Sequence, residues 1–110
     1  MMKITNQQLI SCYEQLVDMK RNGSIVGYLL SSKIRQWEND NMVRINSILE
    51  KMKEIDMEYW QHTAIDGRIE YTMVDGAEGK REPVLKEGKL REDFEKAYQD
   101  LLSEETTMIL

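Results

Sequence analysis

Apolar residues recur every three or four positions in three parts of the chain, a pattern typical of helices with one buried face. The first part predicts a helix over about residues 6–21. Thr5 and Gln8 have the spacing of a capping box, and Asn22-Gly23 supplies a stop, because both residues tolerate the left-handed conformation that ends helices. The shared apolar face comprises Leu9, Tyr13 and Leu16.

The second part is the strongest signal and predicts one long helix over about residues 25–63, with Ser24 as its cap. At about 1.5 Å per residue, roughly 40 residues would extend about 60 Å, more than one small globule covers. The helix therefore either breaks at the polar run 38–41 or projects and finds a partner. Its recurring apolar positions are Ile34, Trp37, Met42, Ile45, Ile48, Leu49, Met52, Ile55, Tyr59 and Trp60.

The pattern changes after Asp66-Gly67, which we interpret as the end of the long helix. Apolar and polar residues then alternate, and residues 68–85 predict a small hairpin whose second strand begins near Pro83. A third amphipathic helix is predicted over about 89–104. The tail after it is β-prone and would pair with the hairpin or with residues 3–5.

These elements predict an α+β fold, mostly α, with about three helices, one of them long and central, and a small hairpin. The chain has 110 residues, 41% of them hydrophobic, which is enough for one domain over residues 1–110. No apolar run reaches about 18 residues, and the N-terminus turns polar at once, so we expect no membrane span and no signal peptide. A single cysteine gives no sign of an oxidising compartment, and we expect a cytoplasmic protein.

Charge divides unevenly along the chain. Residues 1–54 hold eight basic and six acidic residues, whereas residues 55–110 hold seven basic and fourteen acidic ones. The basic residues of the long helix support one alternative function, a nucleic-acid-binding accessory protein, but interleaved acidic residues make nucleic acid an unexpected partner. Those basic residues are Lys33, Arg35, Arg44, Lys51 and Lys53.

Residues with metal-binding or nucleophilic chemistry are few. Glu58, His62 and Asp66 would share one face of a continuous helix, but the chain has no second histidine to complete an ordinary metal site. Cys12 lies among apolar neighbours on the first helix and is interpreted as a buried structural thiol. No phosphate-binding, dinucleotide-binding or hydrolase motif occurs. We therefore expect no enzymatic activity, no cofactor and no bound metal.

The long helix carries two apolar edges, which suggests two neighbours. One edge would pack on the chain's own helices, and the other would contact a second subunit. The sequence thus favours protein–protein interaction, with a homo-oligomer and an unidentified protein partner. The candidate interface residues recur at steps of seven or eight and are Trp37, Ile45, Met52 and Tyr59.

The layout as a whole resembles small uncharacterised proteins encoded by phages and prophages of Gram-positive bacteria. The features that carry the resemblance are the capped first helix, the connection of residues 20–24, the long charged helix, the Asp66-Gly67 step and the acidic last helix. It implies a phage-associated accessory or assembly protein in the host cytoplasm and assigns no functional residues. The order helix, hairpin, helix also resembles prefoldin-type chaperone subunits, a further alternative, although the last helix is much shorter than the second.

Overall fold

The computed structural model describes residues 1–23 and 28–110, with only the backbone for residues 28–30, and within them it has three α-helices and six short antiparallel strands. The α+β, mostly α fold with one long helix is confirmed. The elements are β1 Met2–Thr5, α1 Asn6–Arg21, α2 Tyr28–Tyr59, β2 His62–Ile65, β3 Arg68–Tyr71, β4 Met73–Asp75, β5 Arg81–Pro83, α3 Arg91–Ser103 and β6 Glu105–Met108.

Backbone contacts divide the chain into two units. The terminal unit comprises Met1–Glu50 and Asp100–Leu110, and the central unit comprises Lys51–Gln99. The single domain expected over residues 1–110 stays a prediction.

The start of α1 follows directly from its cap. The Thr5 hydroxyl accepts the Gln8 backbone N–H at 3.2 Å, and the Gln8 side chain accepts the Thr5 N–H at 2.9 Å. These two bonds satisfy amides that the first helical turn leaves unpaired. The predicted capping box and the helix over 6–21 are therefore confirmed.

The terminal unit ties the two ends of the chain together. Strand β1 pairs with β6 antiparallel, so the β-prone tail adopts the second of its two predicted pairings. Asn6 is buried and donates its side-chain N–H to the Leu101 carbonyl at 2.8 Å. The buried apolar side chains of this unit are Ile4, Leu9, Ile10, Ile34, Ile45, Ile48, Leu101 and Met108.

Helix α2 is continuous through residues 38–41, where the sequence left a break open. Asn41 in this polar run is fully buried, and its side chain hydrogen-bonds the backbone of Ile109 beyond β6. A polar residue whose hydrogen bonds are satisfied does not interrupt a helix. The predicted cap Ser24 and the predicted start of this helix at residue 25 lie outside the described residues.

The far end of α2 differs from the prediction. The helix ends at Tyr59 and not near residue 63, because the backbone from His62 is extended and pairs with Arg68–Tyr71 as the first hairpin of the central unit. Asp66 and Gly67 form the turn of this hairpin, both with positive φ, so they do not terminate the helix directly. The third helix, predicted over 89–104, runs over Arg91–Ser103.

The single hairpin predicted over 68–85 is also wrong in its pairing. Its first half pairs with β2, and the second half forms a separate hairpin of β4 with β5. Three backbone amides join these strands in a closed ring. Gln61 donates to Val84 at 2.8 Å, Val84 donates to Thr72 at 3.3 Å, and Thr72 donates to Gln61 at 2.9 Å. The segments around Gln61, Thr72 and Val84 therefore meet at one point of the central unit.

An aromatic cluster packs the central unit. Trp60, which is buried, meets Phe94 edge to face with ring centroids 5.0 Å apart. Phe94 also contacts Tyr59 at 5.8 Å and Tyr98 at 5.3 Å. Edge-to-face pairs of this kind stabilise a small core beyond the burial of their area.

Candidate functional site

An apolar groove runs beside α1 in the terminal unit, and we call it the α1 groove. It encloses a cavity of about 350 Å³. Its walls come from α1, from the first turns of α2 and from the end of β6, so residues far apart in sequence form one surface. The groove is lined by Cys12, Gln15, Leu16, Met19, Lys33, Ile34, Trp37 and Met108.

A second cavity of about 460 Å³ continues along α1 toward β1. It shares Cys12, Gln15 and Met108 with the α1 groove and adds Met2 and Ile4 to its lining. From α1 this cavity is lined by Cys12 and by the polar residues Gln7, Gln8, Ser11 and Gln15, so the apolar surface is concentrated in the α1 groove. An apolar groove of this kind is typical of a surface that receives another protein segment.

Lys33 is the basic residue in the lining of the α1 groove. The Lys20 ammonium pairs with the carboxylate of Glu38, which is largely buried. Arg21, Lys33 and Arg35 are exposed, and within the described residues they have no ion-pair partner. Lys33 is therefore the one of these three side chains that brings a positive charge to the wall of the groove.

The four candidate interface residues do not form one exposed stripe. Ile45 is fully buried in its own chain, so it presents no surface to a second subunit. Tyr59 packs against Phe94 and lies beneath the Lys89 ammonium, 5.2 Å from its ring centre. Met52 is partly exposed on α2. Trp37 alone of the four lines the α1 groove.

The basic residues of α2 do not form one stripe either. At about 100° per residue, Lys33, Arg44 and Lys51 lie on one side of the helix, and Arg35 and Lys53 lie on the opposite side. The uneven charge along the chain also disappears in the fold. The terminal unit holds six basic and eight acidic residues, and the central unit holds nine basic and twelve acidic ones. Each unit therefore contains more acidic than basic residues.

Residues with metal-binding or nucleophilic chemistry are placed differently from the predictions. Glu58 lies on α2, His62 on β2 and Asp66 in a turn, so the helical spacing assumed for them does not exist. His62 Nδ1 lies 2.9 Å from the Trp60 carbonyl. Within residues 1–23 and 28–110, no group of three or more His, Cys, Asp or Glu side chains is placed to hold a metal. Cys12 is half-buried in the groove lining and not fully buried as predicted.

A smaller pocket of about 250 Å³ lies in the central unit. The carboxylate of Asp56 lies in its wall, and burial raises the pKa of Asp56 above its ordinary value of 3.8. Burial and the Asp56 charge raise the pKa values of Tyr71 and Tyr98 above 10.0. The periodicity of α2 does not distinguish Asp56 from the other acidic residues of the helix. The role of Asp56 as a pocket wall depends on pairing between distant strands and has no local signal.

No family model, curated protein or solved structure matches this chain. The resemblance to phage-encoded proteins therefore stays a prediction from sequence pattern. In the described part of the chain, no helix combines the length and the apolar character that crossing a membrane requires.

Proposed function

We propose that this protein is a non-enzymatic assembly factor that acts by protein–protein interaction and associates with further copies of itself through the α1 groove. The observation that supports this most is the groove itself, in which the partly exposed Trp37 and Met19 share one apolar surface. The proposal includes the phage- or prophage-associated accessory role that the sequence resemblance implies.

Covering the groove lowers the free energy of the system, because apolar side chains are removed from water. Met19 is 39% exposed, and Cys12, Leu16 and Trp37 are partly exposed beside it. Removal of apolar surface from water contributes about 25 cal/mol per Å². Aromatic and methionine side chains are also enriched at the centres of protein interfaces. A partner that inserts an apolar side chain here would bury several such side chains at once.

The charge of Lys33 in the groove lining indicates what flanks that apolar side chain. Lys33 is exposed and would attract a carboxylate of a partner. A partner cation at this position would be repelled, because Lys33 has no ion pair among the described residues. The groove therefore fits an apolar residue with an acidic neighbour.

A second copy of the chain carries such a segment at the start of α3. Leu90 is 59% exposed. Glu87, Glu92 and Asp93 around it are exposed and have no ion pair within the described residues. The segment also contains Lys86, Lys89 and Arg91, of which Lys89 and Arg91 pair with Glu58 and Glu95. Leu90 of one copy and the α1 groove of the next are thus complementary in hydrophobicity, and one of the three carboxylates would face Lys33. Because the two surfaces differ, their contact is head-to-tail and leads to rings or open chains.

The proposal is tested by light scattering after size-exclusion chromatography over a range of protein concentrations. We expect the mass to rise with concentration for the natural chain and to remain that of a monomer for Met19→Glu, which places a charge in the groove. Val43→Glu is the matched control, because Val43 is 80% exposed on α2 and does not line the groove. A natural chain that remains monomeric at high concentration contradicts self-association.

A mixing experiment tests the head-to-tail geometry. Met19→Glu removes one of the two surfaces, and Leu90→Glu removes the other, so we expect each variant alone to be monomeric. An equal mixture retains one intact groove and one intact Leu90 segment, and it should form dimers and nothing larger. If the mixture remains monomeric while the natural chain assembles, the copies associate through another surface, and the assignment of Leu90 is wrong.

A further inference from the structure

The Asp56 pocket of the central unit has the composition of a cation-binding site. Its walls are one carboxylate, two aromatic rings, a thioether and a proline ring. The residues are Asp56, Trp60, Tyr71, Met73 and Pro83. The site belongs to the central unit alone and does not involve the α1 groove.

The carboxylate of Asp56 lacks a compensating charge. It makes no hydrogen bond or ion pair with the residues that the structure describes. Two basic side chains near α3 already have carboxylate partners. The Lys89 ammonium lies 3.5 Å from the Glu58 carboxylate, and the Arg91 guanidinium lies 3.4 Å from the Glu95 carboxylate. A partly desolvated carboxylate without a partner costs free energy that a bound cation would offset.

The aromatic walls determine which cation fits. Tyr71 is partly exposed beside the pocket, and the ring of Trp60 is held in place by Phe94. Faces of tyrosine and tryptophan attract organic ammonium groups through the negative charge of the ring. A metal ion needs several strong ligands, and among the described residues no three His, Cys, Asp or Glu side chains are placed together to hold one. The volume of about 250 Å³ suits one head group and not a large ligand.

We propose that this pocket binds an organic ammonium group, with Asp56 as its counter-ion and the rings of Tyr71 and Trp60 as its walls. The cation pairs with the carboxylate at one side and contacts the ring faces at the other. A free quaternary amine and the side chain of a lysine on a partner protein share this chemistry.

The test is a titration followed by two-dimensional ¹H–¹⁵N NMR of the natural chain. The two probes are tetramethylammonium chloride and N-acetyl-lysine methylamide, each compared with sodium chloride at the same ionic strength. We expect saturable shifts of the Trp60 indole N–H, while the Trp37 indole N–H in the terminal unit serves as an internal reference. The probe that binds more tightly identifies the source, a free quaternary amine or a lysine side chain. If neither probe gives saturable shifts beyond those of sodium chloride, the proposal is wrong.

Variants test the role of each wall. Asp56→Asn removes the charge with little change in shape, and we expect binding to weaken by tenfold or more. Asp66→Asn is the matched control, because Asp66 is exposed in the β2–β3 turn outside the pocket. Tyr71→Phe retains the ring and should bind as the natural chain does, whereas Tyr71→Leu should bind more weakly. Unchanged binding by Asp56→Asn would contradict the proposal, and the variant's spectrum shows directly whether it is folded.

Discussion

Asn41 and Ile109 form a reciprocal pair of hydrogen bonds across 68 residues of sequence. The Asn41 side chain donates to the Ile109 carbonyl at 2.9 Å and accepts the Ile109 N–H at 2.8 Å, and it also donates to the Trp37 carbonyl at 2.9 Å. An amide side chain thus pairs with the backbone as a neighbouring strand would. The contact attaches the end of the chain to the middle of α2 in the terminal unit.

Replacement of Asn41 by leucine should lower the free energy of unfolding by about 1–3 kcal/mol, because the Ile109 amide and carbonyl lose their partners in a partly buried place. Urea unfolding followed by circular dichroism measures the change. Asn39→Leu is the control, because Asn39 is exposed two residues away on the same helix, and its replacement should have little effect. If Asn41→Leu is as stable as the natural chain, packing and not this hydrogen-bonded pair holds the tail.

Gly67 should tolerate substitution less well than its neighbour Asp66. The two residues form the β2–β3 turn with φ of 76° and 50°, a conformation that glycine adopts at no cost and asparagine tolerates. We expect Gly67→Ala to destabilise the protein by about 1 kcal/mol and Asp66→Asn to be neutral. No atom lies within 4 Å of the added methyl group, so the cost would come from the backbone alone. Equal stability of all three proteins in thermal unfolding would contradict this explanation.

The stability contribution of Asp56 should depend on pH. Because the pKa of Asp56 is raised in the folded state, the folded chain binds a proton more readily than the unfolded chain. Stability from this group is therefore greatest below pH 3.8 and decreases as pH rises through the folded pKa. We expect Asp56→Asn to unfold at a higher urea concentration than the natural chain at pH 7.

The control for this prediction lies in the pH profile itself. Well below pH 3.8 both side chains are uncharged in the folded and in the unfolded chain, so the difference between the two unfolding midpoints should disappear. The tyrosines that face Asp56, Tyr71 and Tyr98, remain protonated over this range and do not contribute to the change. A constant difference at all pH values would show that Asn stabilises through packing and not through charge.

Cys12 reports whether the α1 groove is occupied. It is the chain's one cysteine, and it lines the groove in a partly exposed position. If a second copy covers the groove, the rate at which Ellman's reagent modifies Cys12 should fall as protein concentration increases. In the Met19→Glu variant the rate should not depend on concentration. A rate for the natural chain that is equally constant would contradict coverage of the groove.

The helices were predictable where a local signal defines their ends. Thr5 and Gln8 satisfy amides within one turn of their own positions, so the start of α1 follows from adjacent residues. The end of α2 was not predicted, because helical spacing of apolar residues continues to Trp60 and an Asp-Gly step is compatible with a helix end. The same step, between the alternating residues of His62–Ile65 and Arg68–Tyr71, is also the strongest local signal of a hairpin turn. That signal would have identified both strands.

The sequence by itself determined the helices, the cap of α1, the mostly α class and the β character of the last residues, since each depends on periodicity or on neighbours a few positions apart. Tertiary structure alone decided which apolar positions are buried, and it placed Ile45 in the core and left Trp37 in a groove. It also decided the partners of Asn41 and the location of Asp56 among aromatic rings. Those arrangements depend on contacts between residues tens of positions apart. No local pattern of residues shows which of these contacts form.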